Sequence, residues 1–347
     1  MNGTGSFGQA DRTRQFDEGG QPATPAGASY KRGALDSLMD GGTPAPTKPT
    51  RGVLGVGYAK RLREWEFARR EWARVDAERR MRAGNWARPM TALCINMKGS
   101  SGKTPTVLGT SAALAQARPG AVAAIEVGDS KGTLIDRAEG STDRGLADML
   151  GNLGALRTRS AIDSFGLVQS SGVTVFGSPS RRRAFSAEDV ETIGAIIDQY
   201  YPITVADSAN NEVSAGFAKA LEKADALIIP TTLSMDSARA VSSIMDFLET
   251  RDPNIPYRPE LWERTVVVIT HDGRRDNPRL AAGMADRVRA AGMRVAEIPF
   301  DDHIAEGEEI TYARLAEATR DAYRAVALHV AECFSLAEAD GQTGEQQ

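Results

Sequence analysis

A chain of 347 residues, 41% hydrophobic and 25% charged, can bury one large α/β domain or two small ones and is too apolar to be disordered throughout. Its formal net charge of −4 excludes a uniformly basic nucleic-acid binder, although local basic patches remain compatible with it. Cys94 and Cys333 stand far apart, make no zinc pattern or disulfide framework, and fit a reducing cytoplasm.

Residues 1–50 are rich in Gly, Pro, Ser and Thr and poor in large apolar side chains. Such a segment buries too little surface to offset its ordering entropy, so it is expected to be disordered, and no secretory signal is legible in it. The composition changes over residues 51–88, where Leu62, Trp65, Ala68, Trp72 and Val75 recur every three or four positions and predict a helix with one apolar stripe. Between Lys60 and Arg82 nine basic residues face five acidic ones. This extension packs its tryptophans as a solvated helix, also serves as a basic arm for DNA phosphates, or lies on a membrane surface, a reading that the interspersed Glu64, Glu66, Glu71, Asp76 and Glu78 weaken.

From residue 89 to 336 short apolar runs alternate with helical stretches. The runs are 91–96, 121–127, 173–176, 203–207, 226–230, 265–270 and 295–299. Several lack any polar alternation, as parallel strands covered on both faces do, so the expected fold is α/β, a doubly wound and mostly parallel sheet flanked by helices. Ligands of such sheets sit beyond the carboxyl ends of the strands. A helix over 312–336 should close the domain, and residues 337–347, acidic and rich in Gly and Gln, read as a second disordered end. No apolar run reaches the ~20 residues that span a bilayer, so no membrane partner is expected.

Lys98-Gly99-Ser100-Ser101-Gly102-Lys103-Thr104 follows the first of these strands and opens a helix. The strict phosphate-loop pattern would put its first glycine at Met97, so only the KGxxGKT form survives. Small residues let backbone N–H groups turn inward around phosphates, and a helix N-terminus adds partial positive charge. In this reading Lys103 reaches the β- and γ-phosphates and the Thr104 hydroxyl ligates Mg²⁺. Pro105 suits a first helical turn, where its missing N–H would be unpaired anyway.

KGSSGKT resembles the deviant Walker A motif of the ParA/MinD family of P-loop ATPases. The resemblance covers most of the chain downstream of residue 90 and is specific at the phosphate loop. It implies ATP and Mg²⁺ as ligands, with Gly99, Ser100, Ser101, Gly102, Lys103, Thr104 and Pro105 around the phosphates and Lys98 as the signature lysine that reaches the nucleotide of the opposite subunit in a dimer. The family has an Asp-x-Asp pattern after its second strand. Here Glu126 takes the first place, Gly128 the second, and Asp129 follows one residue later. Either Asp129 orients the attacking water, with Glu126 as a weaker candidate, or both merely cap the following helix. Asp207, at the end of an apolar strand, looks like a Walker B residue holding Mg²⁺. Pro299 and Phe300 lie where the family cradles adenine, and the turn at Thr270, His271 and Asp272 is a second place for base contacts. His271 and His303 read as surface loop residues.

By the same resemblance the chain is expected to be a cytoplasmic, nucleoid-associated ATPase, slow and partner-stimulated. It would form an ATP-dependent homodimer, bind non-specific DNA and act in partition with a ParB-like centromere-binding or adaptor protein. The DNA contact would use Arg181–Arg183, Arg274 with Arg275 and Arg279, Arg287 with Arg289 and Arg294, or the N-terminal helix, and each of these could equally be a solvated face. The alternatives are an ATPase that positions or assembles a secretion, conjugation or other complex, and a slow switch that works by binding alone.

Overall fold

The computed structural model describes residues 44–51, 57–96, 99, 101–128, 131–208, 214–251, 253–273 and 277–344, with backbone only at 235–238 and 343–344. Lys98, Ser100, Asp129, Asn210, Asn211, Arg274 and Arg275 lie outside the described residues, as does most of the expected disordered segment. The chain divides into two units, Met1–Trp72 and Ala73–Gln347.

In the first unit, helix α1 (Tyr58–Ala83) begins and runs on into the second. Trp65 Nε1 donates to the Pro46 carbonyl at 2.9 Å, and the Lys48 ammonium and Arg69 guanidinium lie 5.6 and 5.3 Å from its ring centre. The expected stripe is interrupted, since Ala68 is exposed.

In the second unit, the end of α1 buries Ala77 and Met81, while Val75 is 55% exposed. The contact face is thus displaced from the one that apolar spacing predicts. Arg118 fixes it by donating to the carbonyls of Met81, at 2.8 Å, and Arg82, at 3.0 Å. The elements that follow are β1 (Met90–Cys94), α2 (Lys103–Ala117), β2 (Val122–Glu126), α3 (Leu146–Leu150), α4 (Arg159–Asp163), β3 (Leu167–Val168), β4 (Thr174–Phe176) and α5 (Ala187–Asp198). Then come β5 (Ile203–Asp207), α6 (Ala215–Lys223), β6 (Ala226–Thr232), α7 (Met235–Leu248), β7 (Thr265–Thr270), α8 (Pro278–Ala290), β8 (Arg294–Ile298), α9 (Asp302–Ala305) and α10 (Glu317–Gly344).

The strands form one sheet in the order β3-β4-β2-β5-β1-β6-β7-β8. Every pair is parallel except β3 with β4. The seven expected strands are present, and the two-residue antiparallel β3 is too short to leave a periodic signal. The chain leaves β1 toward β2 and β4, returns to β1 through β5, and then builds outward through β6, β7 and β8. β1 therefore stands where the winding reverses, and the crevice beyond its carboxyl end is the place for a ligand.

Side chains of one strand feed two cores. Met90, Ala92 and Cys94 pack on one face with α2 and α10, and Leu93 and Ile95 on the other with α5, α6 and α7. This double burial accounts for runs without polar alternation. In α10, Tyr323, Val326, Ala327, Val330, Phe334 and Ala337 are all buried at three- and four-residue spacings, each large one contributing roughly 1.5–3 kcal/mol. α10 presses close to α2, and a Cβ on Gly109 would lie 2.5 Å from the Tyr323 ring. α10 also continues to Gly344, through residues where a disordered tail is expected. Tertiary contacts outweigh composition there: Ala337 is buried, Asp340 pairs with Arg264, and Glu338 accepts from the backbone N–H of Ala87 at 3.2 Å. At the same amino edge of the sheet Arg88 makes a fork onto Asp225, at 2.5 and 3.1 Å, and Asp225 also accepts the Thr91 N–H at 2.8 Å. Among the described residues no helix is long and apolar enough to cross a membrane.

Candidate nucleotide-binding site

β1 ends at Cys94, and its continuation is tied down by buried Asn96, whose Nδ2 donates to the Pro230 carbonyl at 2.6 Å. α2 then starts from Gly102, which has φ 87°, a left-handed conformation that a residue with a Cβ adopts only under strain. The Thr270 side chain lies 3.5 Å from where that Cβ would be. α2 has no side-chain N-cap, and the N–H groups of a first helical turn, which have no acceptor within the helix, suit an anion. Pro105 lies within its first turn.

Three of the functional side chains expected from the sequence, Lys103, Thr104 and Asp207, come together here. Lys103 folds back and donates from Nζ to the Asn96 carbonyl at 3.1 Å. Thr104 Oγ1 donates to Asp207 Oδ2 at 2.7 Å and lies 2.9 Å from Thr133 Oγ1. Register explains the approach, because Cys94, Asp207 and Glu126 lie side by side at the ends of β1, β5 and β2. Asp207 is buried, and its other oxygen, Oδ1, has no partner among the described residues. The same holds for the buried hydroxyl of Ser101. An unsatisfied buried carboxylate oxygen is costly unless a ligand completes it.

Electrostatics points the same way. Burial pushes the Asp207 carboxyl up to about 6, aided by the charge of Glu126 and opposed by the Thr104 hydrogen bond and the Lys103 ammonium. Burial lowers Lys103, partly offset by the charge of Asp207. A cation placed between Thr104 Oγ1 and Asp207 Oδ1 would relieve the carboxylate, and phosphates would relieve the lysine. The donor set fits Mg²⁺, which takes one or two protein oxygens and completes its octahedron with phosphates and water. Lys103, Thr104, Ser101 and the first N–H groups of α2 therefore fit a phosphate chain, and Thr104 with Asp207 fits its metal. Gly99 is described and exposed.

Phe300 follows β8, is 43% exposed and packs over Gly273, whose added Cβ would lie 2.8 Å from its ring. With Pro299 it stands at the same carboxyl edge as Thr270. His271 instead pairs through Nε2 with Glu297 at 2.6 Å. His303, expected on the surface, is buried: its Nε2 accepts the Thr311 N–H at 3.0 Å, so Nδ1 carries the proton toward Glu306.

Two residues near the site escape sequence reasoning. Thr133 has no motif around it. Arg182 sits in an arginine triplet read as a DNA contact or a solvated face, yet its side chain is only 5% exposed and pairs with Glu126 at 3.2 Å. Its position just after β4 was the available signal, since ligand sites gather at strand carboxyl ends. Arg183 pairs with Asp189, Arg289 with Asp286 at 3.1 Å and Arg294 with Glu332 at 3.2 Å. Several arginines expected to contact DNA are thus engaged within the chain.

No protein-family profile matches the sequence. Over 225 residues the chain is 27% identical to the ESX-1 secretion-associated protein EspI of Mycobacterium tuberculosis, an alignment covering 62% of this chain and 32% of that protein. The chain thus spans about a third of the length of the curated relatives it matches. Among solved structures it is similar to the cell division ATPase MinD of Pyrococcus furiosus, with a TM-score of 0.51, 15% identity, and 70% of this chain and 98% of that one covered. A ParA family ATPase from Chlorobium tepidum has a TM-score of 0.49 at 20% identity, over 72% of this chain and 98% of that one. The chain has the fold of the ParA/MinD P-loop ATPases.

Proposed function

We propose that this chain is a Mg²⁺-dependent ATPase of the ParA kind, which binds ATP at the end of β1 and hydrolyses it slowly. The observation that carries this reading is the Thr104–Asp207 pair at the uncapped start of α2, with Asp207 Oδ1 left over. Lys103 would release the Asn96 carbonyl to meet the β- and γ-phosphates. Ser101 and the α2 N–H groups would hold the phosphate oxygens, Thr104 and Asp207 would hold the metal, and Pro299 with Phe300 would flank the base. Mg²⁺, when bound, neutralises charge that develops on the transferred phosphoryl group. Glu126 is held by Arg182 through Oε1, and Asp129 is the residue we assign to orienting water, with Glu126 the weaker candidate. Lys98 would cross to the nucleotide of a second copy, giving an ATP-dependent homodimer.

Two readings of the cargo follow. In the first, the ATP dimer binds DNA non-specifically and works with a ParB-like partner in partition at the nucleoid. In the second, the same cycle positions or assembles a secretion machine. The similarity to EspI, together with the engaged arginines, favours the second. Sedimentation with random duplex DNA in ATP, ADP or no nucleotide tests the choice. ATP-dependent, salt-sensitive co-sedimentation would support partition, and its absence while the ATP dimer forms would leave assembly.

A further inference from the structure

Arg182 makes more contacts than a solvated arginine has reason to. Its Nη2 donates to Glu126 Oε1 at 3.2 Å and to the Gly128 carbonyl at 2.8 Å, and its Nε donates to Ser178 Oγ at 2.6 Å. Nη1 donates to the Arg183 carbonyl at 3.0 Å, and the guanidinium lies 3.4 Å from the centre of the Phe185 ring. This is the planar, forked use of an arginine that a lysine cannot copy. Glu126 in turn reaches the turn that follows, since a Cβ on Gly132 would lie 2.7 Å from its Oε2. The next residue, Thr133, touches Thr104 of the phosphate loop.

Glu126 and Asp207 are direct neighbours in the sheet, both buried, at the ends of β2 and β5. Two such carboxylates side by side would repel each other and compete for one cation. In this chain each is held through one oxygen, Asp207 Oδ2 by Thr104 and Glu126 Oε1 by Arg182, while Asp207 Oδ1 and Glu126 Oε2 have no partner among the described residues. We propose that Arg182 is a positioning residue of the nucleotide site. It offsets the charge of Glu126 through Oε1 and pins Gly128, so that Glu126 is drawn to the Arg182 side, Asp207 stays with Thr104, and Thr133 stays against Thr104. Its contribution passes through Glu126 and Gly128, and it touches neither nucleotide nor metal.

This inference rests on the nucleotide site proposed above, and the test separates the two. Mg²⁺ is titrated into the full chain with a fluorescent ATP analogue, for wild type, Arg182→Met, Arg182→Lys and the double variant Arg182→Met with Glu126→Gln. Hydrogen exchange of the peptide covering Gly132 and Thr133 is followed without nucleotide. Loss of a partner that orients a metal ligand costs roughly ten- to a hundredfold in metal affinity. Arg182→Met should therefore raise half-saturating Mg²⁺ by about tenfold or more and speed exchange at Gly132 and Thr133. The double variant, which removes both buried charges, should bring the Mg²⁺ requirement back near wild type. Arg182→Lys keeps the charge but loses the fork, and should fall between. If Arg182→Met does not fold, the lysine and double variants still decide. An unchanged Mg²⁺ requirement in Arg182→Lys with unchanged exchange, or a double variant as impaired as the single one, overturns the inference. A wild type that binds no nucleotide overturns the proposed site instead, while the exchange comparison still tests whether Arg182 holds the turn.

Discussion

Asp207→Asn should make the protein more stable and less able to bind Mg²⁺-nucleotide. Without ligand the native state holds the Asp207 carboxyl near 6, above its ordinary 3.8. That difference is worth about 3 kcal/mol against the ionised form, with the attraction of Lys103 and the Thr104 hydrogen bond already included. Because the folded value is the higher one, the penalty is absent below pH about 4, grows between about 4 and 6, and is complete above about 6. The nucleotide-free protein should therefore gain stability from this site as pH falls from 7 toward 5. An asparagine keeps the shape and can still accept from Thr104, so the variant should be about 1–3 kcal/mol more stable at pH 7, a rise of several degrees in Tm. Thermal unfolding followed by tryptophan fluorescence in EDTA, at pH 5 and pH 7, measures this directly. Adding Mg²⁺ and ATP should raise the wild-type Tm and leave that of Asp207→Asn unmoved. A variant less stable than wild type at pH 7, or a wild type whose site contribution shows no dependence on pH, would refute the reasoning.

Phe300→Ala should weaken ATP binding roughly three- to tenfold by removing stacking area, and leave inorganic pyrophosphate unaffected, as read by calorimetry. Gly109→Ala should lower stability by about 1–3 kcal/mol, because the added methyl meets the Tyr323 ring and overpacking outweighs the gain in helix propensity; a denaturant midpoint measures it. Arg88→Ala strips a buried carboxylate of its fork and should cost about 1–3 kcal/mol, also visible as a lower midpoint, with nucleotide affinity unchanged. Lys98→Ala should keep nucleotide affinity but abolish the ATP-dependent shift to dimer in size-exclusion chromatography, and a tight ATP dimer in that variant would contradict the signature-lysine role.

The sheet was legible because β6 and β7 are buried on both faces and so consist of nearly unbroken apolar and β-branched residues. The phosphate loop was legible because strand, small residues, GKT and helix follow one another within a few positions. What stayed hidden depended on partners distant in sequence. β3 consists of only two residues, held by pairing with β4. The last turns of α10 have a composition that suggests disorder, and Arg264 and Ala87 hold them helical. The triplet 181–183 shows three positive charges, and apart from its place after β4 nothing local marks the middle one as buried against Glu126. Local spacing likewise misplaces the buried face of α1, which ends on Ala77 and Met81 because Arg118 grips that end. Asp207 and Thr104 were each recognisable alone, but their hydrogen bond follows from a register between β1 and β5 that no local pattern encodes.

The central claim is that the end of β1, the start of α2 and Asp207 together hold a Mg²⁺-nucleotide. Isothermal titration of ATP into the full chain, with Mg²⁺ and with EDTA, tests it most directly when repeated on Lys103→Ala and Thr104→Ala. One site per chain is expected, dependent on Mg²⁺, abolished in Lys103→Ala and independent of Mg²⁺ in Thr104→Ala, with melting temperatures near wild type. Undiminished, Mg²⁺-dependent ATP binding by a folded Lys103→Ala protein would contradict the account.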